Sequence, residues 1–340
     1  MSANHVIKPI NMKKLLSILS LSIFIITGCQ TAQPEVKQVE DSYTVITSFY
    51  PLHFFTSELV KEVENVEVMN LIPSGGEPHS YEPSTSQLAQ MESANLLIAQ
   101  GGLEPWLEGL EHELEKKGVK ILEVNSHLEL MAFEEDHEDH EEHEDEGHSD
   151  EDEGEEHDEE HDEDDHGDFD PHTWLDPVLS VEIVEHISEE LIKMDPSHEA
   201  IYSANTEDLI NRLSALNDSF EMNLASCSLD TFITSHDAFG YLAERYDLHA
   251  HSVSGVSPFD EPSAKQITEL IELSEEEGLK HIFFEVLANS EAAEVLAEEA
   301  GLTSLILNPI SGLSSDQVNE DYFSLMEENL ENLTIGLACE

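Results

Sequence analysis

The sequence predicts an α/β protein with two lobes, each a parallel sheet covered by helices, joined by one long rigid helix. Three observations lead there. Short apolar, β-branched runs alternate with helical patterns in the first third of the chain, and the alternation restarts near residue 230. That order implies parallel strands with helical crossovers. Between the two series, residues 197–224 keep a helical apolar period without Gly or Pro, long enough at 1.5 Å per residue to reach about 40 Å. The third is length: 340 residues suit about two domains.

The elements follow in order. Residues 1–28 contain no acid; Lys13 and Lys14 precede an apolar run over 15–26 and then Thr27-Gly28-Cys29. A basic start, a short apolar stretch and a small residue before the break read as a secretory signal, because a membrane span would need about 20 apolar residues. Met12 is then the natural start, with 1–11 an upstream extension. Ile26-Thr27-Gly28-Cys29 resembles the lipobox of bacterial lipoproteins, which implies acylation of Cys29, with polar residues 29–42 as a tether. Cys227 and Cys339 remain. Outside the cytoplasm they can pair as a disulfide or stay two unrelated buried thiols.

An N-terminal lobe is assigned to 43–195, with strands over 45–49, 66–72, 95–99 and 119–124 and helices over 52–63, 85–93 and 106–117. It contains residues 134–168, which hold 24 acids, 7 histidines, 3 glycines and 1 serine. That composition has no apolar period and cannot form a core, so it reads as a disordered loop. Order resumes at Phe169, and a helix over 178–193 stops before Asp195-Pro196. A linking helix occupies 196–226. The C-terminal lobe, 227–340, has strands over 231–234, 249–253, 281–284 and 302–307 and helices over 238–246, 261–277, 290–300 and 316–337.

The formal charge is −63, which disfavours nucleic acid and anionic membrane surfaces as electrostatic partners. The acidic tract carries −24 and the 28-residue leader +3, leaving −42 on the other 277 residues. Acidity is thus not confined to the tract, and the lobes read as surfaces suited to saline or alkaline surroundings, where salt screens self-repulsion.

Of the 19 histidines, three occupy unusual contexts. His79 lies in the Pro/Gly-rich loop Gly75-Gly76-Glu77-Pro78-His79-Ser80-Tyr81-Glu82-Pro83, after a strand; His172 in Asp170-Pro171-His172-Thr173-Trp174-Leu175-Asp176-Pro177; and His236 directly after a strand, in Thr234-Ser235-His236-Asp237. All three fall at element ends, where open α/β sheets place ligands. Imidazole suits zinc, and three nitrogens leave a fourth position for water or a carboxylate; surface or capping histidines would have the same spacing. In the tract, His137, His140, His143, His148, His157, His161 and His166 alternate with carboxylates. This pattern fits a low-affinity zinc collector or a solvated acidic spacer. Neither H-E-x-x-H nor G-x-S-x-G occurs, so nothing points to a zinc or serine hydrolase.

With Phe239-Gly240-Tyr241-Leu242-Ala243 and Ser254-Gly255-Val256-Ser257-Pro258 added, these segments resemble the metal-specific substrate-binding proteins of zinc/manganese ABC transporters, the ZnuA/AdcA-like family, from about Tyr43 to the C-terminus. The resemblance implies two α/β lobes on a rigid helix with the metal in the cleft. It places ligands at His79 and His172 in the first lobe and at His236 in the second. Histidine at the third position favours zinc over manganese. Several family members add an acid from the loop after the last strand; here that loop reads Leu307-Asn308-Pro309-Ile310-Ser311, and Asn308 is a poor zinc ligand, so water or Glu77 would complete the shell. The implied function is extracytoplasmic capture of Zn2+, as cargo and without catalysis, by a monomer that delivers it to an ABC permease. A manganese carrier is the nearest alternative. An adhesin, a label sometimes attached to this family, has no partner-binding patch in the sequence to support it. Because only neutral imidazole ligates, capture should weaken below about pH 6.5.

Overall fold

The computed structural model describes residues 42–132, 169–285, 291–317 and 319–340. The signal, Cys29, the tether up to residue 41 and the seven tract histidines lie outside the described residues.

Two four-stranded parallel sheets organise the fold. The first has the order β2-β1-β3-β4, from β1 (Tyr43–Thr47), β2 (Val66–Asn70), β3 (Leu96–Ala99) and β4 (Lys120–Glu123). The second, from β5 (Thr231–Thr234), β6 (His249–Ser252), β7 (His281–Phe284) and β8 (Thr303–Ile306), repeats it as β6-β5-β7-β8. In each, the first strand in sequence is central: Val45 registers with Val68 on one side and Leu96 on the other. The crossovers α1 (Tyr50–Leu59), α2 (Thr85–Met91) and α3 (Glu111–Lys117) serve the first sheet, and α6 (Gly240–Arg245), α7 (Ala264–Glu276) and α8 (Glu291–Ala300) the second. Strand order reverses beside β1 and beside β5, which opens a crevice at their carboxyl ends.

Between the sheets run α4 (Pro177–Met194) and α5 (Glu199–Leu224). On α5, Leu209, Leu213, Leu216 and Phe220 are buried on one stripe at alternating spacings of four and three. This stripe and α9 (Tyr322–Gly336) belong to one apolar cluster extending from Val45 to Leu337, so both lobes share a core. Two smaller clusters lie under the outer helices.

The seam between the lobes is tied by specific contacts. Phe55 meets Tyr322 edge to face at 4.8 Å, and Trp174 Nε1 donates to Pro309 O at 2.7 Å. Tyr322 donates from its hydroxyl to Trp174 O at 2.7 Å. Arg212 of α5 lies 4.1 Å over the Phe323 ring and bonds Glu58 of α1 at 2.6 Å. A disulfide joins Cys227 to Cys339 and resolves the alternative left open by the sequence.

Element type and order agree with the sequence reading, and the differences lie at ends. The first helix stops at Leu59 because the chain turns through Glu62 at φ 68°. The third begins at Glu111 and not at 106, since Leu107 N–H bonds Glu104 O and Leu110 N–H bonds Leu107 O in successive tight turns. The seventh starts after Ser263, which forms a reciprocal capping box with Gln266. The closing helix starts after Asp321, which caps Ser324 in the same way.

Candidate metal centre

Three separate segments place the three singled-out histidines. His79 sits in a tight turn, Pro78–Ser80, beyond β2; Glu77 caps this turn by accepting the His79 N–H at 3.2 Å. His172 precedes the turn Thr173–Leu175 that leads into α4. His236 lies two residues past β5, at the reversal of strand order, where the Thr234 hydroxyl donates to its carbonyl at 2.8 Å. Prolines 78 and 171 fix φ beside the first two.

The three side chains converge, each offering one nitrogen, with these atoms all within 4.8 Å of one another. His79 Nε2 and His172 Nε2 are 3.1 Å apart. A tetrahedral zinc with Zn–N bonds of about 2.0–2.1 Å would hold its donor nitrogens about 3.4 Å apart, so this pair is spaced close to two ligands sharing one ion. His172 and His236 are buried and His79 is half-buried. His236 Nε2 is buried with no hydrogen-bond partner; a lone pair held in this way is costly unless something binds it.

Carboxylates back two of the rings. Asp170 Oδ1 lies 2.7 Å from His172 Nδ1 and also accepts the His172 backbone N–H at 2.9 Å. Glu285, which directly follows β7, accepts the His236 N–H at 3.0 Å, and its other oxygen stands 2.6 Å from His236 Nδ1. The latter is close in distance but falls outside hydrogen-bond directionality, so it acts as an ion pair. A carboxylate behind the ring nitrogen turns the other nitrogen toward the ion and raises its basicity.

Burial, followed by the neighbouring His172 and His236, pushes the His79 imidazole down to about 2. Burial and His236 push His172 well below the usual imidazole range. For His236 burial also acts downward, but the Glu285 carboxylate, aided by Glu77, outweighs it and the net direction is up. Burial pushes Asp170 up to about 7, against the opposing pull of the His172 N–H and His236. Burial thus favours the neutral form of two rings, while Glu285 favours the charged form of the third.

The fourth position has no protein donor among the described residues that joins this cluster. Asn308 Oδ1 accepts the Ile310 N–H at 2.8 Å, and the Asn308 backbone is paired with Asn329, so this residue shapes its own loop. Glu77 stays outside the group of mutually close donors, its carboxylate capping the His79 turn. Sequence reasoning missed the supporting carboxylates. For Glu285 the available signal was an acid ending the apolar strand His281-Ile282-Phe283-Phe284; for Asp170 it was an acid two residues before His172 in a proline-locked turn.

The chain is similar to known proteins. Residues 45–336 match the family model of the periplasmic zinc-uptake complex component A. The chain is 33% identical over 326 residues to the zinc-binding lipoprotein AdcA of Streptococcus pneumoniae serotype 4, covering 95% of this chain and 60% of that protein. It thus spans about three fifths of the length of that relative. It is 32% identical over 328 residues to the high-affinity zinc uptake system protein ZnuA of Bacillus subtilis, covering 95% of this chain and 97% of that one. The structure of the Zn(II)-bound ZnuA-like domain of Streptococcus pneumoniae AdcA superposes with a TM-score of 0.69 at 30% identity, over 87% of this chain and 99% of that one.

Proposed function

The chain belongs to the zinc-uptake complex component A family, and from that premise we propose that it captures Zn2+ outside the cytoplasm and hands it to an ABC permease. The observation that carries this reading is the convergence of three imidazole nitrogens from both lobes, two of them backed by buried carboxylates. His79, His172 and His236 are the ligands, and water completes the shell. Nitrogen donors favour zinc over manganese, which suits oxygen-rich sites. The ion is cargo: His79, His172 and His236 each present one imidazole nitrogen to it. An N-terminal lipid on Cys29 holds the protein at the membrane, and the acidic histidine tract collects zinc weakly nearby. The chain divides at 43–195, 196–226 and 227–340, and works as a monomer.

The test is metal analysis and competition. The purified full chain should retain one zinc that resists a chelator strong enough to strip the tract, and His236→Ala should lose it. If His236→Ala kept a chelator-resistant zinc, the site would lie elsewhere. Preferential retention of manganese under equal competition would reverse the choice of cargo.

A further inference from the structure

We propose that Tyr241 is a positioning residue for metal capture, its hydroxyl holding His172 in register with His236 across the seam between the lobes. The inference rests on the zinc reading above and adds to it a residue that touches no metal.

Tyr241 lies on α6, five residues after His236, and is buried. Its hydroxyl has two partners, both from the other side of the seam. It donates to Asp170 O at 2.8 Å and accepts the Met131 N–H at 2.9 Å. These partners are joined to each other, since Asp170 N–H donates to Met131 O at 3.0 Å, and Ala132 and Phe169 form an antiparallel bridge one step further out. The phenol therefore pins the paired backbone that flanks the acidic tract. Asp170 carries the constraint inward, because one of its oxygens holds both the ring and the backbone N–H of His172. Asp170 thus connects the helix behind His236 to the orientation of the His172 ring.

A second observation concerns the same carboxylate. A Cβ on Gly240 would stand 3.0 Å from Asp170 Oδ2, so the first residue of α6 is packed against the group that orients His172. One turn beyond Tyr241, the Arg245 guanidinium bonds Asp176 at 2.7 Å and fixes the direction of the helix. Tyr241 and Arg245 share a face of α6, but only the phenol is connected to a ligand.

The experiment uses Tyr241→Phe in the full chain, with Tyr202→Phe as control. Tyr202 is equally buried and loses a hydroxyl bond to Asp195, 3.3 Å long, away from the metal centre. Zinc release into excess chelator should be about tenfold faster in Tyr241→Phe, and the d–d spectrum of the cobalt(II)-loaded centre should shift; Tyr202→Phe should change neither. A Tyr241→Phe protein with wild-type release and wild-type spectrum overturns the proposal, whatever its melting temperature. Should that variant fail to fold, 3-fluorotyrosine at position 241 carries the test: it keeps the ring but changes the donor and acceptor strength of the hydroxyl that bonds Asp170 O and the Met131 N–H, so zinc release and the cobalt spectrum should both change, and an unchanged pair of readouts counts as refutation. Retention of the chelator-resistant zinc by His236→Ala would instead sink the zinc-site reading, which keeps the two failures distinct.

Discussion

Glu285 holds His236 at two points, accepting its backbone N–H at 3.0 Å and facing its ring Nδ1 at 2.6 Å. The ligand from the second lobe is thus oriented by the residue that ends a neighbouring strand, and Nε2 is left turned toward His79 and His172. Glu285→Gln keeps the shape but removes the charge that makes His236 basic. Loss of such an outer carboxylate lowers metal affinity by about 10–100-fold. Chelator-competition titration should show this drop with one site still present, and an unchanged constant would mean that Glu285 serves folding alone.

The same contact sets the pH dependence. The His236 pKa is raised above its ordinary 6.5, chiefly because Glu285 outweighs burial, while His79 and His172 are depressed. A raised value means that the metal-free ring is still protonated at a pH where free imidazole would not be, so zinc must displace that proton. Affinity should therefore begin to fall while the pH is still above 6.5 and continue to fall through pH 5. Calorimetry in buffers of different ionisation enthalpy should show proton release on zinc binding that grows as the pH is lowered toward 6.5. Constant affinity between pH 7.5 and pH 5 would sink the role given to His236.

Much of this was legible in the sequence because the signals were local. The short apolar, β-branched runs located all eight strands of the described residues, and proline-flanked turns marked His79 and His172. What stayed hidden depended on long-range contacts. Glu285 is 49 residues from His236, and no spacing relates them. Helix ends were displaced where a side chain competed for the first turn, as Ser263 and Asp321 do. Tyr241 stood out only as part of the segment Phe239-Gly240-Tyr241-Leu242-Ala243, because its hydroxyl partners are 71 and 110 positions away.

The Cys227–Cys339 disulfide closes a loop of 112 residues and ties the end of the chain to the start of the second lobe. Cross-linking so long a loop removes much freedom from the unfolded chain, worth about 2–4 kcal/mol in typical cases. Both residues also lie beside paired backbone, with the Cys339 N–H bonded to Thr334 O at 2.9 Å. The double variant Cys227→Ser/Cys339→Ser should unfold at a lower denaturant midpoint than the oxidised protein while binding one zinc with wild-type affinity. A midpoint equal to that of the oxidised wild type would show that the bridge adds nothing.

The remaining acidity makes a prediction about salt. The chain carries 76 acids against 13 Lys and Arg, so most carboxylates have no cation to face. The pairs that do form, such as Lys116–Glu113 and Lys117–Glu92, are largely exposed. Raising ionic strength from 0.1 to 1 M shortens the screening length from about 10 Å to about 3 Å. This weakens repulsion among many like charges and attraction in only a few exposed pairs, and the first effect dominates by number. The melting temperature of the metal-free protein should therefore rise with sodium chloride over this range. Scanning calorimetry at fixed pH decides the matter: a flat or falling midpoint would mean that the acidic faces are spaced widely enough for repulsion to cost the fold little.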